Sequence, residues 1–342
     1  MGKDTGIQWC DSTVNPVMGC DGCELWSADK RGRRTCYAGL QHEKPRGKGW
    51  AAKFLEPEMF AGRMAEAAKW SDLTGKARTD KPWLDGYPRI IFISDMGDAL
   101  SERIPFEFLE REIVEPVVSE HGQRHIWIWL TKRPSRMVKF DQWMAERSPD
   151  DRLWWPANLW AATTVTMPRT EARADFLRRV GHEGTTRLLS FEPILEEPNW
   201  DRCLEPRKGE GSIHGAFLGG ESGEPSVVSA MDVEILRRSV VACRRHGVTP
   251  FVKQLGRLPI VNVMYEGRPI RSQVQLTDSH GGDWEEWRRD VADLMVRELP
   301  VVRGMKAAEP APAASEPKPT PEPPASGGLF GVDRAAYAGG VR

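Results

Sequence analysis

The sequence predicts an α/β protein whose parallel sheet is curled into a partial or complete (β/α) barrel. Three observations point there. Short apolar runs recur along the chain, amphipathic stretches separate them, and polar residues gather where each run stops. Repeated strand–helix units set successive strands side by side and parallel. Sites in such folds lie at the carboxyl ends of the strands, so the polar loops should share one rim.

The first strand is expected near Thr13–Val17. Six more follow, at Arg89–Ser94, His125–Leu130, Leu159–Val165, Arg187–Phe191, Ala216–Gly219 and Pro250–Lys253. Each is apolar nearly throughout, as strands covered on both faces are. Helices are expected at Glu56–Trp70, Phe106–His121, Pro168–Val180 and Met231–His246. In the last, Val233, Leu236, Val240 and Cys243 form one stripe, and Gly247 marks its stop. A further helix over Trp284–Leu299 would place Trp284, Trp287, Val291 and Leu294 on one face. The chain holds 14 Trp, and core positions such as Trp127, Trp129 and Trp160 account for much of that excess.

A chain of 342 residues, 40% hydrophobic, can bury the core of one large domain. That body is expected over 1–304. A Pro-, Ala-, Glu- and Ser-rich segment over 305–328 lacks the apolar side chains to offset ordering entropy and reads as a disordered linker. Residues 329–342 form a short tail with a small apolar island. The net charge of −1 excludes a bulk basic field, so nucleic-acid contacts must use local patches. Lys30–Arg34 and Lys44–Lys48, the latter beside Trp50, are the candidates. The opening residues are polar and no run approaches membrane-spanning length, so the expected setting is the cytoplasm, without a membrane partner.

Six cysteines in a chain this long do not make a secreted disulfide framework; clustered cysteines in a reducing compartment mean metal or catalysis. Cys20, Cys23 and Cys36 are spaced C-x2-C-x12-C, with Gly19 and Gly22 permitting the tight loop. Spacing alone fits either a structural zinc, with Cys10 or His42 as fourth ligand, or a [4Fe–4S] cluster with one open iron. Position at the barrel rim favours the cluster. Cys243 belongs to an apolar stripe, and Cys203 sits in a loop without an assigned role.

The ordered landmarks of this chain resemble those of the phage and prophage three-cysteine-motif proteins, which are radical S-adenosylmethionine (SAM) enzymes or close relatives. They run from Ile7-Gln8-Trp9-Cys10-Asp11-Ser12-Thr13-Val14-Asn15-Pro16-Val17-Met18-Gly19-Cys20 through Cys36-Tyr37-Ala38, Thr131-Lys132-Arg133-Pro134 and Leu189-Ser190-Phe191-Glu192-Pro193. Gly219-Gly220-Glu221-Ser222-Gly223 and Phe251-Val252-Lys253-Gln254-Leu255-Gly256 complete the set. The spacing differs from the commonest radical SAM pattern, C-x3-C-x2-C, while the count of three is kept. The resemblance implies a [4Fe–4S] cluster on Cys20, Cys23 and Cys36, with SAM on its open iron and an external electron donor. It makes Ser94, Asp95, Thr164 and Glu192 the candidates for contacting SAM. Lys132, Arg133 and Lys253 are the candidates for an anionic substrate. It also implies DNA as the substrate: hypermodified thymidine of viral DNA, for example isomerisation of an N-linked glycine-type adduct on the thymine methyl carbon to a C-linked one. Two other readings stay open, a zinc-stabilised nucleic-acid-binding module without catalysis and a radical SAM enzyme acting on a small metabolite or protein.

Overall fold

The structure, a computed structural model, describes residues 2–28, 32, 34–44, 49–147, 154–266, 268–287 and 289–301. Seven parallel strands form its centre: β1 (Ser12–Val14), β2 (Ile90–Ile93), β3 (Ile126–Thr131), β4 (Leu159–Thr164), β5 (Arg187–Phe191), β6 (Gly215–Gly219) and β7 (Thr249–Gln254). They lie in chain order, each paired with the next, and the sheet curls into a half-barrel with β1 and β7 at its borders.

Alternation along the strands explains why they read as unbroken apolar runs. Ile91, Ile93, Trp127, Trp129, Leu189 and Leu218 face an outer layer shared with helix residues such as Met64, Phe108, Phe140 and Leu236. Their neighbours Ile90, Phe92, Ile126, Ile128, Trp160, Leu188, Phe217 and Phe251 form a separate inner cluster with Trp9. A period of two with both faces covered leaves few polar positions before the strand ends. On the inner face Trp9 stacks on Phe217, ring centres 4.6 Å apart, and touches Phe92 at 4.7 Å. The segment carrying Trp9 is pinned by Lys81, whose ammonium donates to the carbonyls of Thr5, Ile7 and Cys10 at 2.6–2.7 Å.

Both borders are covered by short antiparallel bridges. Gly2 and Thr13 exchange two backbone hydrogen bonds on the β1 side. On the β7 side Arg297 bridges Phe251, Val252 donates to Val296, and Glu298 donates to Pro250. That pairing excludes the helix expected over Trp284–Leu299. Two 3₁₀ turns, Trp284–Glu286 and Ala292–Leu294, stand there instead, followed by extended chain. The Arg297 guanidinium lies between the rings of Trp83 and Trp284, at 4.1 and 4.3 Å, which fixes the segment against the sheet.

Other helices are shorter than the spacing suggested. Over Glu56–Trp70 only Arg63–Ala68 is helical; Glu58–Met59 pairs antiparallel with Val17–Met18. The first strand accordingly ends at Val14, because Asn15 and Pro16 turn the chain into that second pairing. The Phe106–His121 stretch contains a π turn at Glu110–Val114 and ends at Val118. Over Pro168–Val180 a 3₁₀ turn precedes the helix Ala172–Leu177. In the Met231–His246 stretch the helix is Val233–Arg245, capped by the Asp232 carboxylate accepting from the Glu234 N–H. A helix over Pro134–Arg147 and a hairpin of Pro259–Tyr265 with Arg268–Gln273 had no counterpart among the expected elements. Trp127, Trp129 and Trp160 are core residues as expected; Cys243 is buried in its helix, and Cys203 is equally buried in a short helix, Trp200–Leu204. The described residues belong to one compact unit. The segments 305–328 and 329–342 lie outside the described residues. Among those described, no helix is long and apolar enough to cross a membrane.

Candidate functional site

The three cysteines open onto one cavity of about 330 Å³ at the carboxyl mouth of the half-barrel. Every strand, or the segment directly after it, contributes to the wall. Cys20, Cys23 and Cys36 follow β1; Ser94, Asp95 and Asp98 follow β2; Thr131, Lys132 and Arg133 close β3. Arg173 comes from the helix after β4, Glu192 follows β5, Gly220 and Glu221 follow β6, and Gln254 ends β7. Phe54, Phe92 and Leu130 supply apolar surface between these groups.

Backbone contacts fix the start of the cysteine loop. Gly19 takes a φ of +87°, which only glycine adopts without strain, and bridges Gly97 in the loop after β2. Gly19 donates to Met96 O at 3.2 Å and accepts from Asp98 N at 3.1 Å. The two chains approach so closely that a Cβ on Gly97 would lie 2.4 Å from Gly19 O. Cys20 N then donates to Phe54 O at 2.7 Å, and Cys36 N returns to Leu25 O at 3.0 Å.

Two arginines hold the loop from the barrel side. Arg133 Nη2 donates to Gly22 O at 2.8 Å and lies 3.8 Å from Cys20 Sγ and 3.6 Å from Asp21 Oδ2. Asp21 in turn accepts from Ser101 Oγ at 2.7 Å and Glu102 N at 3.0 Å. Glu24 is gripped by both terminal nitrogens of Arg173 at 2.7 Å and by Thr166 Oγ1 at 3.0 Å. Burial alone would raise the Glu24 carboxyl, but the Arg173 fork outweighs it and brings the pKa down to about 2.

Two of the thiols favour their neutral form. Burial, with Asp98 adding to it and Arg133 opposing, pushes Cys20 up to about 12. Burial likewise raises Cys36. Binding a metal here must therefore release protons.

The remaining wall is polar and ordered. Asp98 accepts from Thr131 Oγ1 at 2.8 and 2.9 Å, from Lys132 N at 3.1 Å and from Leu100 N at 3.0 Å. Asp95 accepts from Asn15 Nδ2, and burial raises its pKa despite that bond. Ser94 has a φ of +72°, the left-handed region that L-residues rarely enter, and its buried hydroxyl has no partner among the described residues. One carboxylate oxygen of Glu221 and Arg133 Nε are likewise buried and unpartnered, while the other Glu221 oxygen accepts from Ser229 N at 2.7 Å. The Lys132 ammonium makes no hydrogen bond or ion pair among the described residues.

Of the residues singled out from sequence, Cys20, Cys23, Cys36, Ser94, Asp95, Lys132, Arg133 and Glu192 all meet in this wall. Thr164 and Lys253 stand outside it. Thr164 is buried at the end of β4, where its carbonyl accepts from Arg173. Lys253 is engaged in a close ion pair with Glu192. Asp98 and Gln254 lie in polar strand-end loops visible in the sequence. Arg173 sits inside a helix and gave no such signal.

The fourth ligands weighed for zinc are placed elsewhere. Cys10 is fully buried in the inner apolar cluster. His42 hydrogen-bonds Ala38 O at 2.7 Å, with its ring against Trp50 and Phe54. Among the described residues no three His, Cys, Asp or Glu side chains are grouped to hold a metal ion. Most of the two basic patches, Lys30, Arg31, Arg33 and residues 45–48, falls outside the described residues.

Fold and site together define an α/β half-barrel protein with a cysteine-lined cavity at its carboxyl mouth. The chain belongs to the family described as protein of unknown function DUF5131, whose model matches residues 4–289. No curated protein and no solved structure matches it.

Proposed function

We propose that the protein is a radical SAM enzyme whose [4Fe–4S] cluster is held by Cys20, Cys23 and Cys36. The observation that carries this reading is the sharing of one cavity by three thiols and the carboxyl ends of a parallel half-barrel. Three soft sulfur donors lining one cavity suit iron–sulfur ligation, and three leave one iron open. The buried, unpartnered oxygens of Ser94 and Glu221 fit a wall that receives a polar ligand. Bound together with SAM, such a cluster would supply one electron to the sulfonium, the chemistry that frees methionine and a 5′-deoxyadenosyl radical.

The chain's own residues bind, orient and shield. Lys132 presents a cation to the cavity and is placed to meet a carboxylate or phosphate. Asp95, Glu192 and the Ser94 hydroxyl offer hydrogen-bonding groups on the same wall. Phe54, Phe92 and Leu130 keep water from part of the cavity and lower its local dielectric. Thymidine in viral DNA is the substrate we propose, with N- to C-linked isomerisation of a glycine-type adduct as the reaction; the ordered sequence landmarks support it. Reaching a base inside a duplex would require flipping the nucleotide into the cavity.

Anaerobic reconstitution with iron and sulfide tests the chemistry. A brown chromophore bleached by dithionite and SAM-dependent release of 5′-deoxyadenosine are expected; stoichiometric zinc in a colourless protein defeats the reading. Mass spectrometry of nucleosides from viral DNA made with and without the protein tests the substrate, and an unchanged profile removes it.

A further inference from the structure

We infer that Arg133, expected from sequence to meet a substrate, is instead a positioning residue that holds the cysteine loop and eases electron uptake by a cluster bound there; this rests on the radical SAM reading. Its contacts point to the loop. Nη2 bonds Gly22 O at 2.8 Å and lies 3.8 Å from Cys20 Sγ, while Asp21 stands at 3.6 Å. The side chain is 22% exposed and its Nε is buried. The adjacent Lys132 keeps its ammonium uncommitted among the described residues, so the two neighbouring cations have different tasks.

One-electron reduction would add a negative charge to an iron–sulfur core held there and to its thiolates. A cation donating an N–H to one of those sulfurs stabilises the reduced form more than the oxidised form. Partial burial limits the screening of that charge by salt. Arg173 gives the internal contrast. It braces the same loop, but Glu24 matches its charge in a two-pronged pair and it makes no hydrogen bond to a thiol among the described residues.

The test uses the full chain, reconstituted anaerobically and titrated with dithionite in the presence of mediators, following visible absorption and electron paramagnetic resonance. Wild type is compared with Arg133→Lys, Arg133→Gln, Arg133→Met and Arg173→Met. The midpoint should move to more negative potential in Arg133→Gln and Arg133→Met and stay near wild type in Arg133→Lys. Arg173→Met should take up less cluster at an unchanged midpoint. If Arg133→Met holds no cluster, the Lys and Gln variants make the same comparison. An Arg133→Gln midpoint equal to wild type overturns the inference, as does an equal shift in Arg173→Met, which would trace the effect to loop order. A wild-type protein that takes up no cluster defeats the radical SAM reading itself; a loaded wild type indifferent to Arg133 defeats only this inference.

Discussion

Glu24 and Arg173 meet through two parallel hydrogen bonds of 2.7 Å, joining the residue after Cys23 to the helix after β4. The side chains are only 7% and 17% exposed, so the pair lies in the regime where removing one partner strands the other. Glu24→Gln should cost about 2 kcal/mol in urea unfolding and lower the cluster content of reconstituted protein. A variant as stable and as well loaded as wild type would show that the pair does not hold the loop.

The cysteines divide into two classes. Cys20→Ala, Cys23→Ala and Cys36→Ala should each abolish cluster binding and SAM cleavage. Cys243→Ala and Cys203→Ala remove only packed sulfur and should cost about 1 kcal/mol with the cluster retained. Equal loss across all five would overturn the ligand assignment.

Gly97 is a steric prediction independent of any cofactor. Its added Cβ meets backbone atoms of Gly19, at 2.4 Å from the oxygen and 2.9 Å from the nitrogen, which cannot swing aside. Gly97→Ala should destabilise by about 2–3 kcal/mol and push the cysteine loop off the β2 end. Unchanged denaturant midpoints would contradict the approach described here.

His125 gives a pH dependence. Burial lowers its pKa, its Nε2 is bonded to Ala68 O at 3.0 Å, and its Nδ1 is buried without a partner among the described residues, so the folded state holds it neutral. His214 is lowered by burial too, and its Nδ1 accepts from Arg187 N. With folded values below the ordinary value of about 6.5, the unfolded chain binds more protons in that range. Stability is therefore full above about pH 6.5 and falls as the pH drops through the folded values. Unfolding at pH 7.5 and 5.5 should show this loss, and His125→Gln should shrink it, leaving the part due to His214. A loss of the same size in the variant would exclude His125 as a source.

The sheet was the most legible part of the chain because burial on both faces turned each strand into a short apolar run. Residues at the strand ends were legible for the same reason, standing out as the first polar groups after each run. Arg173 was not, since an arginine on an amphipathic helix looks like a solvated one until its carboxylate partner is known. The hairpin Pro259–Gln273 escaped notice because its second strand is largely exposed and carries no apolar alternation. Trp284, Trp287, Val291 and Leu294 misled in the opposite sense. Three of the four are buried, but in tight turns leading to a stretch paired along β7, so their spacing carried burial without helicity.

The outer strands of the half-barrel have consequences for handling the protein. Each is shielded by a few residues from the far ends of the folded body, Gly2 on one side and Val296–Glu298 on the other. Trimming either stretch would bare unpaired amide groups along a strand rich in β-branched and aromatic residues, an invitation to sticky self-association. Expression variants shortened at those points should precipitate before they lose their secondary structure, and light scattering would register it.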